Sequence, residues 1–196
     1  MMVIGITGGT GCGKTTLLNL IASLGGLVLD CDAIYHELLI SDKKMLAAIG
    51  NRFPGTVENG TLNRKKLGSI VFSDENALQD LNRITHASVK QEVLHRLETA
   101  PALAAIDAIG LFEGGLAALC DVTVAVTAPE EARVKRLMTR DQISEDYARS
   151  RIRAQHSEDW FRERCDYVLV NGGELDAFAT NCLAFLDTIG IMKENS

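Results

Sequence analysis

The chain is expected to fold as a three-layer α/β protein, a parallel sheet of about five strands with helices on both faces. Three observations carry that expectation. Short apolar, β-rich runs alternate with longer amphipathic ones. The first run leads directly into a glycine-rich loop that opens a helix. Between the second and third runs lies a long block, 33–99, that reads as helix only.

Met1-Met2-Val3-Ile4-Gly5-Ile6-Thr7 is apolar and β-rich, as a buried parallel strand should be. Gly8-Gly9-Thr10-Gly11-Cys12-Gly13-Lys14-Thr15 follows and fits G-x-x-x-x-G-K-[ST]. Its glycines let successive backbone N–H groups turn inward around phosphate oxygens. Lys14 brings a mobile charge to the β- and γ-phosphates, and the Thr15 hydroxyl is short enough to ligate Mg²⁺. Leu17, Leu18, Ile21, Ala22 and Leu24 recur at helical spacing until Gly25-Gly26 ends the run. Strand, glycine loop and helix together read as a nucleoside triphosphate site.

Leu27 to Asp30 is a second strand, followed by a helix from Ala33 to about Phe53 that Pro54-Gly55 breaks. Glu58-Asn59-Gly60-Thr61 is a turn, and helices follow over Arg64 to Phe72 and Ser73 to about Glu98, the latter capped by Ser73 or Asp74. Strands return at Ala102 to Ile106 and Val122 to Val126. Pro129 opens a helix from its first turn, and 129–164 is helical with a break near Gln142-Ile143-Ser144, where Ser144 is the cap. Tyr167 to Val170 is the last strand, Asn171-Gly172-Gly173 a turn, Leu175 to Leu186 a closing helix, and Lys193 to Ser196 a frayed tail. The expectation is one domain: a core over about 1–32, 100–132 and 165–196, a helical acceptor region over about 33–99, and a closing lid over about 133–164.

A length of 196 residues suits one domain, and 46% hydrophobic with 23% charged residues is ordinary for a globular protein. A formal charge of −6 and a single tryptophan argue against nucleic-acid or anionic-membrane partners. The five cysteines are dispersed and form no C-x-x-C, which suggests reduced thiols. Cys12 reads as a small residue tolerated where the backbone does the binding. No basic leader precedes the first strand, and Ala102 to Phe112, the best apolar run, is short and carries Asp107, so a cytoplasmic location is expected.

In an open parallel sheet ligands bind beyond the carboxyl ends of the strands. The glycine loop and Asp30-Cys31-Asp32 both lie on that rim. If this segment is still extended, both carboxylates share one side. A carboxylate there can take the proton from a hydroxyl attacking the γ-phosphate, or hold water around Mg²⁺. The alternative is that Asp32 merely caps the helix beginning at Ala33. Residues 133–164 hold nine basic and six acidic residues. Most are expected on solvated faces, with one or two arginines closing over the transferring phosphoryl group; spacing does not say which. Glu113 is either a site carboxylate beyond the third strand or an exposed loop residue, and His86 reads as an ordinary helix histidine. Arg64-Lys65-Lys66 can hold an anionic substrate or simply be exposed.

Several segments together resemble the dephospho-coenzyme A kinase family along nearly the whole chain. They are Gly5 to Thr16, Val28-Leu29-Asp30-Cys31-Asp32, Gly60-Thr61-Leu62-Asn63-Arg64, Ile84-Thr85-His86, Leu111-Phe112-Glu113, Arg136-Leu137-Met138-Thr139-Arg140-Asp141, Arg153-Ala154-Gln155 and Asp166-Tyr167-Val168. The resemblance implies a nucleoside/nucleotide-kinase-like P-loop fold and ATP-dependent, Mg²⁺-assisted phosphorylation of the ribose 3′-hydroxyl of dephospho-coenzyme A. By matching position it implies Asp32 as general base, with Lys14 and Arg140 acting on the phosphates. Gly9, Gly11, Cys12, Gly13, Lys14, Thr15, Thr16, Arg140, Asn171 and Gly172 would hold ATP, Asn171-Gly172 bordering adenine. Thr7, Asp32, Arg64, His86 and Glu113 would face the acceptor, Thr15 would hold Mg²⁺, and a monomer is favoured.

The chain departs from the family pattern at Cys12 (usually serine), at Ile109-Gly110 (usually Pro-Leu), at Ala87 (commonly proline) and at Val170 (often an acid). Two alternatives stand beside the resemblance: a kinase of another nucleoside or nucleotide, and a nucleotide-dependent regulatory module. Asp107-Ala108-Ile109-Gly110 spells the D-x-x-G of GTPase switches, but no Asn-Lys-x-Asp guanine-reading motif accompanies it.

Overall fold

A computed structural model describes residues 1–172 and 175–192. Gly173 of the expected turn and the expected frayed tail lie outside the described residues. In chain order the strands are β1 (Met2–Thr7), β2 (Leu27–Asp30), β3 (Val57–Glu58), β4 (Thr61–Leu62), β5 (Leu103–Asp107), β6 (Val122–Thr127) and β7 (Tyr167–Val170). Five of them form a parallel sheet in the order β2-β5-β1-β6-β7, and β3 and β4 form a small antiparallel hairpin.

The period of two along each strand sorts the core. Ile4, Ile6, Leu103, Ala105, Val122, Val124 and Val126 face one side, where α1 (Lys14–Ser23) and the closing helix, α9 (Leu175–Thr188), cover them. Val3, Leu29, Ala104 and Ile106 face the other. That side is covered by α2 (Cys31–Ser41), α3 (Lys43–Arg52), α4 (Arg64–Val71) and α5 (Glu75–Leu97). The segment before β7 is α6 (Glu130–Asp141), α7 (Glu145–Arg153) and α8 (Glu158–Arg164). There Val134, Leu137, Ala148 and Ile152 make a small cluster of their own.

Several boundaries differ from the sequence reading. The expected helix from Ala33 to Phe53 is two helices, because Asp42 adopts an extended backbone and its carboxylate caps α3 through the N–H groups of Lys44 and Met45. The turn at 58–61 is the tip of the β3–β4 hairpin, where Asn59 (φ 51°) and Gly60 (φ 74°) take the two positive φ values of a tight Asn-Gly turn. Pro129 sits at the N-cap of α6 rather than inside its first turn. A second serine cap, Ser157, starts α8, so 129–164 breaks twice. Asp74 rather than Ser73 caps α5, and Ser144 caps α7 through Tyr147 N–H.

Candidate active site

The site lies at the carboxyl ends of the strands. Register places Asp107 of β5 beside both Ile6 of β1 and Asp30 of β2, so three neighbouring strands deliver their ends to one rim. The phosphate loop leaves β1 at Gly8, whose φ of +133° carries it past β6; a Cβ there would lie 2.1 Å from the Val126 carbonyl oxygen. Gly13, at φ +94°, would meet the Asn171 side-chain nitrogen at 2.3 Å. Both turns therefore need glycine. Gly13 is also the N-cap of α1, and no side chain satisfies the first N–H groups of that helix. Lys14 Nζ donates to the Gly8 carbonyl at 3.0 Å and lies 3.9 Å from Asp107 Oδ1.

The loop is held from outside by the α6–α8 segment. Arg133 Nε donates to the Thr10 carbonyl (2.9 Å), and the Thr10 N–H donates to Gln155 Oε1 (2.8 Å). Arg136 donates to the Gly11 carbonyl (3.0 Å) and to Asn171 Oδ1 (3.0 Å), while Asn171 Nδ2 donates to the Cys12 carbonyl (3.0 Å). Asn171 is buried by this role, and Gly172 has open space around it and lines neither cavity described below. Burial pushes the Cys12 thiol up against the opposing charges of Arg133 and Lys14, so it stays protonated beside the backbone that does the holding.

Asp32 does not cap the helix that follows β2. The helix starts two residues earlier than expected, at Cys31, and the cap is Asp30, which accepts from the N–H groups of Asp32 (2.9 Å) and Ala33 (3.0 Å). The extended geometry that would set Asp30 and Asp32 on one side is therefore absent. Asp32 instead occupies the first turn of α2, and among the described residues its carboxylate accepts no hydrogen bond.

Two cavities meet there. The larger, about 720 Å³, runs over Gly11, Cys12, Gly13, Lys14 and Thr15, with Asp30, Asp32 and Asp107 on one wall and Arg136, Arg140 and Arg151 among its other lining residues. The smaller, about 240 Å³, lies between α2, α5 and the loop after β5, lined by Tyr35, Asn82, Thr85, His86 and Gly110. Asp32 and Ile109 line both.

The other expected site residues spread out. Thr7 is buried and its hydroxyl donates to the Ile109 carbonyl at 3.1 Å, shaping the wall shared by the cavities. Gly9 and Thr16 flank the larger cavity without lining it. Arg64 is exposed and lines neither cavity; its charge acts on Tyr35, whose burial raises its phenol and whose ring reaches the smaller one. Glu113 lines neither and binds His156, whose ring stacks on Trp160 with centroids 3.8 Å apart. Arg140 lines the larger cavity while paired with Asp141.

Asp107 is the residue the sequence reading passed over as a site group. Burial, the largest influence, raises its carboxyl to about 6; Lys14 pulls it down, and Asp30 and Asp32 push it up further. An apolar run ending in an acid beside the loop strand was the available signal. Arg136 and Gln155 stand in segments that carry the family resemblance and Arg133 only in a basic run. That they hold the loop is not legible, since the loop carbonyl and N–H groups they bind are more than a hundred residues away. The Thr15 hydroxyl and the Asp30, Asp32 and Asp107 carboxylates line one cavity, oxygen donors of the kind Mg²⁺ takes. Among the described residues, however, no three carboxylates, thiols or imidazoles cluster into a metal site of their own, which fits an ion held by Thr15 together with phosphate oxygens and water.

Residues 2–177 match the family model described as dephospho-CoA kinase. The chain belongs to the dephospho-CoA kinase family. It is 37% identical over 186 residues to the dephospho-CoA kinase of Moorella thermoacetica, covering 90% of this chain and 87% of that one. To the dephospho-CoA kinase of Syntrophotalea carbinolica it is 35% identical over 192 residues, covering 95% and 91%. Among solved structures, dephospho-CoA kinase from Campylobacter jejuni superposes with a TM-score of 0.66 at 25% identity, over 95% of this chain and 96% of that one. A shikimate kinase from Bacteroides thetaiotaomicron, at 16% identity and a TM-score of 0.58 over 95% and 98%, shares the fold. The family's P-loop kinase fold and the two cavities make this protein a phosphotransferase. Among the described residues no helix is long and apolar enough to cross a membrane.

Proposed function

We propose that the protein transfers the γ-phosphoryl group of ATP to the ribose 3′-hydroxyl of dephospho-CoA, giving CoA and ADP, the last step of CoA synthesis. One observation carries the reading: Asp32, without a hydrogen-bond partner among the described residues, lines both the cavity over the phosphate loop and the one beside α5. A donor in the first and an acceptor in the second meet at that carboxylate. Asp32 takes the proton of the 3′-hydroxyl as its oxygen bonds to the γ-phosphorus; the bond from that phosphorus to the β–γ bridging oxygen breaks, and ADP leaves.

The uncapped start of α1 and the loop N–H groups that Gln155 and the loop's own carbonyls leave open, those of Gly11, Gly13, Lys14 and Thr15, receive the β-phosphate, with Lys14 reaching the transferring group. Arg140 faces the same charge from the lid formed by α6–α8. Thr15 would hold Mg²⁺, which when bound offsets charge on the β- and γ-phosphates. Thr7 and His86 shape the acceptor cavity, with Arg64 and Glu113 at its margins, and Asn171-Gly172 border the adenine. The reading takes the protein as a cytoplasmic monomer.

A panel of acceptors with Mg-ATP, including dephospho-CoA and adenosine, tests it by ADP release and product mass. The 3′-phosphorylated product from dephospho-CoA is expected at the highest kcat/KM. Faster turnover of another nucleoside or nucleotide would reassign the acceptor.

A further inference from the structure

Arg140, near the end of α6, and Arg151, in α7, both line the larger cavity, and one carboxylate holds both. Asp141 Oδ1 accepts from Arg140 Nε at 2.7 Å, and Oδ2 accepts from Arg140 Nη2 at 3.0 Å and from Arg151 Nη1 at 2.5 Å. Asp141 itself is not part of the cavity wall.

Of the other arginines of this segment, Arg153, Arg162 and Arg164 do not line the cavity, and Arg162 and Arg164 pair with Glu158 and Glu163. Arg133 and Arg136 are committed to loop carbonyls. Arg149 is tied to Glu130, Glu131 and Glu145 at the far end of the helix pair. Each guanidinium has about five N–H donors. Asp141 takes two from Arg140 and one from Arg151, so both keep donors for an anion. Two cations on one wall repel; a carboxylate between them offsets that repulsion and fixes the planes. A bidentate pair extended into a network is the kind of exposed ion pair that holds geometry. The two arginines hold the Asp141 carboxyl down at about 2, so it stays charged at any working pH.

We propose that Arg151 is a second phosphate-contacting arginine and that Asp141 is a positioning residue, splinting Arg140 and Arg151 into a paired clamp for the polyphosphate of ATP and ADP. The inference rests on the kinase reading above and deepens it. Its test is run without acceptor as well as with it, so that a wrong acceptor leaves it standing.

Nucleotide Kd (ADP and a non-hydrolysable ATP analogue), kcat, both KM values and Tm are measured for the full chain and its variants. Arg151→Gln should weaken nucleotide binding about tenfold, the loss of one charge-assisted contact. Asp141→Asn should lower kcat/KM for ATP by a similar factor, with acceptor KM and Tm unmoved. In an Arg140→Gln/Arg151→Gln background Asp141→Asn should do nothing further. Glu131→Gln, which loosens the Arg149 staple in the same segment, should leave the ATP kinetics at the wild-type level. Unchanged nucleotide binding in Arg151→Gln overturns the proposal. So does an Asp141→Asn effect that persists without the arginines, or one that Glu131→Gln reproduces.

Discussion

Two helices begin at this site on opposite faces of the sheet, and they use the same backbone feature in opposite ways. α1 follows β1 and α2 follows β2, with β5 between those strands, and both first turns reach the larger cavity. A helix start carries unpaired N–H groups and partial positive charge. At α1 the cap is Gly13 in a left-handed conformation, no side chain covers those groups, and the first turn holds Lys14 and Thr15. At α2 Asp30 supplies its own carboxylate to two of them, and the first turn holds Asp32. One start is left open to a foreign anion; the other is already filled. On the proposed function, the contrast steers a triphosphate to α1 and keeps it off α2. It also frees Asp32 from capping, so that a carboxylate without a hydrogen-bond partner among the described residues stands beside the smaller cavity.

The largest way to break the contrast is to remove the cation from the open start. Lys14→Ala is expected to lower kcat/KM by about 10³-fold and to weaken ATP binding with it; titration with a fluorescent nucleotide and steady-state rates read both. Next is the filled start. Asp32→Asn should lower kcat by roughly 10²-fold or more while leaving nucleotide Kd near wild type, as loss of a general base does. Unchanged turnover would return Asp32 to a merely structural part in α2.

Between the two starts stands Asp107, with a folded-state carboxyl at about 6, above its ordinary value. Between about pH 4 and 6 the native state therefore binds more protons than the unfolded chain. Stability falls as pH rises through that window, and the cost is complete above it. Asp107→Asn should raise the Tm of the ligand-free protein at pH 8, by at most ~3 kcal/mol in free energy before the lost Lys14 contact is subtracted, and the gain should vanish near pH 4. A gain that is the same at both pH values would sink this account. The smallest effect is expected for Asp30→Ala, about 1 kcal/mol of stability from the lost cap, read by denaturant midpoint, with ATP binding at α1 little changed.

Much of this was legible in the chain. The continuous apolar runs of β1 and β5, the glycine loop and the Ser144 cap are local signals, and the structure reproduces them. Asp32 follows the expected strand, but the choice between cap and free carboxylate turns on two residues of helix register, which Asp30 decides and periodicity does not resolve. Asp42 broke a helix that looked continuous, because a cap and an ordinary exposed acid read alike in sequence. The clasp of Arg133, Arg136, Gln155 and Asn171 on the loop is not legible as a clasp for another reason. The loop partners it holds are main-chain groups, which have no residue identity to recognise, even though Arg136, Gln155 and Asn171 stand out in the chain for other reasons. Glu113 was noticed, but its partner His156 comes from a loop 43 residues on.

The small cluster of Val134, Leu137, Ala148 and Ile152 has a thermodynamic consequence. It is separate from the two clusters on the sheet faces, so α6 and α7 bury their apolar stripe against each other. A shift of this pair as a unit exchanges polar contacts at the loop while leaving all three apolar interiors sealed. Heat-capacity change tracks apolar area exchanged with water. Nucleotide binding should then carry a calorimetric signature dominated by enthalpy, with a heat-capacity change too small to report how far the pair has travelled.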